Sequence, residues 1–151
     1  MRIHRLTRHQ RLDQPLDVVF AFFAQARNLE QITPPWLRFE LLEPEPAEMG
    51  EGTLIDYRLR LHGLPLRWTS RIDEWAPGHG FVDRQLRGPY RLWRHRHTFL
   101  ADGTGTIVGD EIDYALPLGP LGDLAHSLFV RRDLGRIFAY RRQAVSRLLA
   151  S

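Results

Sequence analysis

From residue 36 to residue 116 the chain alternates between polar and apolar residues. The pattern runs through WLRFELLE, GTLIDYRLRL, PLRWTSRIDEW, GFVDRQLRG, RLWRHRHTFL and GTIVGDEIDYALP. Alternation sends successive side chains to opposite faces of a strand. The connections HGLP, APGHG, RGPY and ADGTG are short and rich in turn residues. Links that short join consecutive strands antiparallel, so this region is expected to form a meander.

Other periodicities flank the meander. Residues 2–12, RIHRLTRHQRL, alternate weakly and suggest a first strand. Pro15 and Asp17 suit a helix start. Val18, Val19, Phe22, Phe23 and Ala26 follow at helical spacing. A short second helix around Asn28–Gln31 is expected to stop at Thr33-Pro34-Pro35, because a residue before proline avoids the helical region. After Pro117, Leu124, Leu128, Leu134, Phe138, Val145 and Leu148 mark one stripe of a long amphipathic helix. Gly135 interrupts it, at a cost of up to about 1 kcal/mol relative to alanine, which suits a bend or close packing. That stripe must be buried, and the sheet is the only large partner for it. The expected fold is α+β: a curved antiparallel sheet wrapped around a long C-terminal helix, with two short helices after the first strand.

Composition narrows the class. The 151 residues read as one domain, residues 1–151, and 43% hydrophobic content supplies a core. No apolar run approaches a membrane span, and MRIHRLTRHQ lacks the apolar stretch of a secretory signal. With no cysteine there is neither a disulfide framework nor a thiolate metal site. A cytoplasmic protein without stable membrane insertion is expected. All 21 basic residues are arginines, yet the net charge is only +3. They are spread along the chain and alternate with carboxylates, which fits a compositional bias and not a nucleic-acid binder.

If residues pair about the centre of each turn, two rows cross the sheet. One reads Ile55, Ile72, Asp83, His95, Asp110. The next reads Tyr57, Ser70, Gln85, Trp93, Ile112. Neighbours in a row have Cβ atoms roughly 4.5–5.5 Å apart, so His95 is expected between two carboxylates. The face with Ile55, Tyr57, Leu59, Trp68, Ile72, Trp93, Phe99, Ile112 and Tyr114 is the apolar one. The other carries Asp56, Arg58, Arg60, Arg67, Arg71, Asp73, Arg84, Arg94 and Arg96. The first is expected to meet the helix.

Several runs resemble an uncharacterised bacterial subgroup of the START, Bet v 1 and polyketide-cyclase superfamily, the SRPBCC proteins. They are TPPWLRFEL, the Gly52–Leu61 strand, the Trp68–Trp75 strand, FVDRQLRGPYRLWRHRHTF, GDEIDYALPLG and IFAYR. The resemblance implies a helix-grip fold with a deep, mostly apolar cavity between sheet and long helix. Related domains occur fused to a nucleotide-sugar epimerase-like domain, and none is expected within these 151 residues. The superfamily includes lipid carriers, hormone receptors and aromatase/cyclases.

A cavity gives the inward polar residues a reason. Buried carboxylates must be paired and hydrogen-bonded, and an Asp83–His95–Asp110 cluster supplies that. The expected function is binding of a small hydrophobic or aromatic ligand, lipid or polyketide-like. Tyr57, Trp68, Ser70, Trp93, His97, Ile112 and Tyr114 are expected at the ligand, with Gln85, His95, Asp83 and Asp110 orienting it. Trp36, Phe81 and Phe99 are expected to add rings, and Arg131, near the apolar stripe, to clamp a carboxylate. The alternative is a cyclase or dehydratase in which His95 works with Asp83 or Asp110 as acid/base, and Tyr57 or Tyr114 stabilises an oxyanion. A third reading is an interaction module with a closed core. No metal and no cofactor are expected: the paired histidines of HRH lack a metalloprotease-type motif, and Ser70 sits in no nucleophile elbow. A homodimer is compatible with the sequence.

Overall fold

A computed structural model describes residues 2–150. Strand β1 (His4–Leu12) is followed by helices α1 (Leu16–Phe23) and α2 (Leu29–Ile32). Then come β2 (Glu40–Leu41), β3 (Leu54–Leu61), β4 (Leu64–Ala76), β5 (Gly80–Arg87), β6 (Leu92–Asp102) and β7 (Gly105–Ala115). The chain closes with α3 (Pro120–Ala125), a π-helical turn over His126–Val130, and α4 (Arg131–Leu148). The sheet order is β1-β7-β6-β5-β4-β3-β2, antiparallel at every pairing. The meander is as expected, with β1 added beside β7.

Two elements differ from expectation. The strand expected over WLRFELLE shrinks to Glu40–Leu41, because Pro35–Leu37 forms a single tight helical turn and Arg38 adopts a left-handed conformation (φ 47°). The C-terminal helix is not one uniform cylinder. Leu134, Phe138 and Val145 are buried as expected, but Leu124 and Leu128 are 56% and 58% exposed, and Leu148 is 39% exposed. Leu124 precedes the π-helical turn and Leu128 lies within it. Its wider turn rotates the leading leucines out of phase with α4.

The inner face is the apolar one. Ile55, Leu59, Trp68, Ile72, Phe99, Ile112 and Tyr114 are all buried. The outer face is laced with ion pairs, among them Arg71–Asp73, Arg84–Asp73 and Arg94–Glu74. The arginines there are solvated partners of neighbouring carboxylates.

Register agrees in the middle of the sheet and slips at two turns. Ile72 faces Asp83, Ser70 faces Gln85 and Asp83 faces His95, as expected. Across β3–β4, however, Ile55 faces Ser70 and Tyr57 faces Trp68. Across β6–β7, His95 faces Ile112, Trp93 faces Tyr114, and Asp110 faces His97. Each slip is two residues, so every side chain keeps its face.

Candidate functional site

Between the inner face and α4 lies a cavity of about 170 Å³. Its walls are mainly apolar: Ile55, Leu59 and Ile72 from the sheet, Phe23 and Leu37 from the connecting segment, and Leu134, Ile137 and Phe138 from α4. Tyr57 and Trp68 stack at 5.8 Å between centroids, and Trp68 meets Trp93 edge-on at 5.3 Å. The Trp68 Nε1–H donates to Ser70 Oγ at 3.0 Å, which satisfies two polar groups inside the wall.

The polar end is built on β5, β6 and β7. His95 and His97 share a face of β6, and their rings stack at 3.7 Å. Each bonds a carboxylate diagonally. His95 Nε2 lies 2.7 Å from Asp110 Oδ1, and His97 Nε2 lies 2.6 Å from Asp83 Oδ2. The expected His95 between two carboxylates is therefore replaced by two crossed His–Asp pairs. Arg141 of α4 closes the set, donating from Nη2 to Asp110 Oδ1 at 3.3 Å. His97 Nδ1 is buried without a hydrogen-bond partner among the described residues.

Burial sets the charges here. It pushes His95 down to about 4, helped by His97 and opposed by the bond to Asp110. It pushes His97 down to about 3, helped by the Arg141 charge. Both imidazoles are neutral at pH 7. Burial raises the Asp83 carboxyl, with His95 and Arg141 pulling the other way. Burial also opposes ionisation of Asp110, but the Arg141 charge and the His95 bond outweigh it and hold the group below its usual range. Burial raises Tyr57, so its phenol stays protonated. One fixed ion pair, Arg141–Asp110, thus sits behind two neutral imidazoles.

Of the expected ligand residues, Tyr57, Trp68, Ser70, Asp83, Trp93, His95 and His97 line this cavity, as does Phe81. Others lie outside it. The Gln85 amide donates to the Tyr90 carbonyl at 2.7 Å and accepts from its N–H at 3.1 Å, so Gln85 holds Tyr90 in the wall. Ile112 is fully buried core. The Tyr114 hydroxyl is 2.7 Å from His126 Nε2. Asp110 does not line the cavity but bonds His95 and Arg141, which do. Arg131 is exposed; Arg141, one residue of the IFAYR run that sequence reasoning passed over, takes the inward position. Trp36 is 50% exposed, against Tyr140 and Arg136, and Phe99 packs in the core. Asp83, His95 and His97 offer ligand atoms within 4.8 Å of one another. The two carboxylate bonds and the neighbouring Arg141 cation already occupy that set.

A family model described as polyketide cyclase / dehydrase and lipid transport matches residues 12–138. The chain belongs to this family. Solved structures with the same fold include the Zhui aromatase/cyclase from a Streptomyces species, 19% identical over 99% of this chain and 98% of that one, with a TM-score of 0.67. A START superfamily protein from Mycobacterium smegmatis is 10% identical over 97% of each chain, TM-score 0.73. A nucleoside-diphosphate sugar epimerase from Corynebacterium glutamicum matches 94% of this chain with 28% of its own length, at 21% identity and TM-score 0.67. No curated protein sequence matches the chain. Within the polyketide cyclase / dehydrase and lipid transport family, this chain presents a cavity between its sheet and α4. No helix among the described residues is long and apolar enough to cross a membrane.

Proposed function

We propose that this domain binds a compact, ring-bearing apolar molecule whose one or two polar groups are neutral. The observation carrying this reading is the cavity of about 170 Å³ with aromatic walls and two neutral imidazoles at its polar end. An apolar void of about 150 Å³ holds one benzene ring, so one or two fused rings fit and a two-chain lipid does not. Apolar burial drives binding at roughly 25 cal/mol per Å² before ordering costs. Ser70, His95, His97 and Asp83 offer donors and acceptors that fix a hydroxyl or carbonyl. A ligand carboxylate there would lack a free cation, because Arg141 is engaged with Asp110.

The family supports a second reading, a cyclase or dehydratase. The Arg141–Asp110–His95 chain favours it, since ionised Asp110 accepts from His95 Nε2–H and leaves Nδ1 as the basic atom. A histidine titrating near 4 is a weak base at pH 7, which is why binding ranks first. Mass spectrometry of an organic extract of the undenatured protein, beside thermal melts with 2-naphthol, tests both. A bound aromatic or a raised melting temperature, retained in His95→Gln, supports the binder. Turnover of the extracted compound that disappears in His95→Gln supports the enzyme. An empty extract together with no thermal response overturns both.

A further inference from the structure

A second cavity of about 300 Å³ lies between β1, β7 and α4. Arg8, Arg141 and Arg142 line it, and Asp110 is the one carboxylate among its lining residues. Asp110 is already shared between His95 and Arg141. Arg8 stands directly opposite Asp110 in the β1–β7 pairing. Its Nη1 donates to the Thr7 carbonyl, and Arg142 Nη1 donates to the His9 carbonyl. Both guanidinium groups thus rest on backbone oxygens, keep their charge and leave most of their five N–H donors available. Three cations facing one committed carboxylate leave a positive surplus.

Gly135 gives the second, independent observation. It lines this cavity and not the first. A Cβ placed on Gly135 would meet nothing within 4 Å. Close packing does not account for it, since no neighbour approaches. Glycine weakens a helix interior, and what it does here is leave space beside Arg141 and Arg142.

We propose that this side cavity is a binding site for a small oxyanion, a phosphate or carboxylate, held by Arg8, Arg141 and Arg142, with Gly135 keeping it open. Guanidinium forks match such anions in geometry and charge. The inner and side cavities share Phe23, Phe138 and Arg141. An anion in the side cavity therefore competes with Asp110 for Arg141 and touches the polar end of the first site from behind.

Inorganic phosphate is titrated into the full chain by calorimetry, with chloride replaced at constant ionic strength. Saturable binding is expected, weakened about tenfold or more in Arg8→Met/Arg142→Met, the loss of charge-assisted hydrogen bonds. Gly135→Trp is expected to abolish it by filling the space. Neither change touches the inner lining, so both variants should still bind 2-naphthol, which separates failure here from failure of the proposed function. Circular dichroism checks that each variant folds, and the arginine pair keeps the test valid if the tryptophan does not. Naphthyl phosphate binding tighter than phosphate, with that gain lost in Gly135→Trp, identifies the oxyanion as a ligand's charged end; equal affinities identify a separate ion. No saturable phosphate binding, or binding indifferent to both variants, overturns the proposal.

Discussion

The Asp110 carboxylate and the Arg141 guanidinium are 12% and 13% exposed, and each compensates the other's burial. Arg141→Met removes the cation and leaves the carboxylate facing a neutral imidazole. A loss of about 3 kcal/mol is expected from breaking such a pair, measured by urea denaturation. Arg141→Met/Asp110→Asn should recover part of it, since no charge is then stranded. The histidines set a pH dependence of known sign. Folded His95 and His97 titrate near 4 and 3, against 6.5 for the free side chain. Between pH 6.5 and about 4 the unfolded chain takes up protons that the folded chain does not. Stability therefore rises with pH in that window and is lost as pH falls through it, by up to about 1.4 kcal/mol per pH unit for each histidine. Asp83 acts oppositely: its folded value is raised above 3.8, so its contribution is present at low pH and lost as pH rises through the folded value. The informative measurement is the difference between wild type and His97→Gln in denaturation series across pH 4–6.5. The variant should show the shallower slope, and equal slopes would mean that His97 titrates normally.

Among the elements, α4 carries a simple expectation. Gly135→Ala adds a methyl group that meets nothing and should stabilise the helix by up to about 1 kcal/mol, read as a higher melting temperature. A lower one would mean that the glycine serves a backbone conformation. This element also marks where the sequence stopped being legible. Its phase was set partly by Leu124, before the π-helical turn, and Leu128, within it, and that placed Arg131 inward. Arg131 and Arg141 are ten residues apart, about 80° around a regular helix, so the wrong phase selected the wrong arginine. The sheet was read better because period two tolerates error. His62 and Gly63 both have positive φ, 50° and 82°, so HGLP is a two-residue hairpin turn with Leu61 facing Leu64. Gly103 and Thr104 likewise make a two-residue turn between Asp102 and Gly105. Misplacing each centre by one residue moved the partners by two and left the faces intact. The inner set Tyr57, Trp68, Ser70, Asp83, Trp93, His95 and His97 was therefore legible. The diagonal bonding was not, because it depends on rotamers that spacing does not encode. Nor were Leu37 and Phe39 as lining residues, because the tight turn over Pro35–Leu37 replaces the strand that the alternation of WLRFELLE suggested.

At the scale of the whole molecule, two voids of about 170 and 300 Å³ flank one helix and share Phe23, Phe138 and Arg141. An ordinary core of this size fills such space with side chains. Unfolding eliminates the voids, so the unfolded chain with its solvent occupies less volume than the folded one. High pressure then favours unfolding, through a negative volume change that scales with the space lost. Tryptophan fluorescence under pressure should show a transition that 2-naphthol moves to higher pressure by filling the inner void. A midpoint indifferent to it would mean that this void contributes nothing to that volume change. The space held for a guest thus makes the empty protein mechanically soft, and occupancy becomes a property that compression can read without knowing the guest's identity.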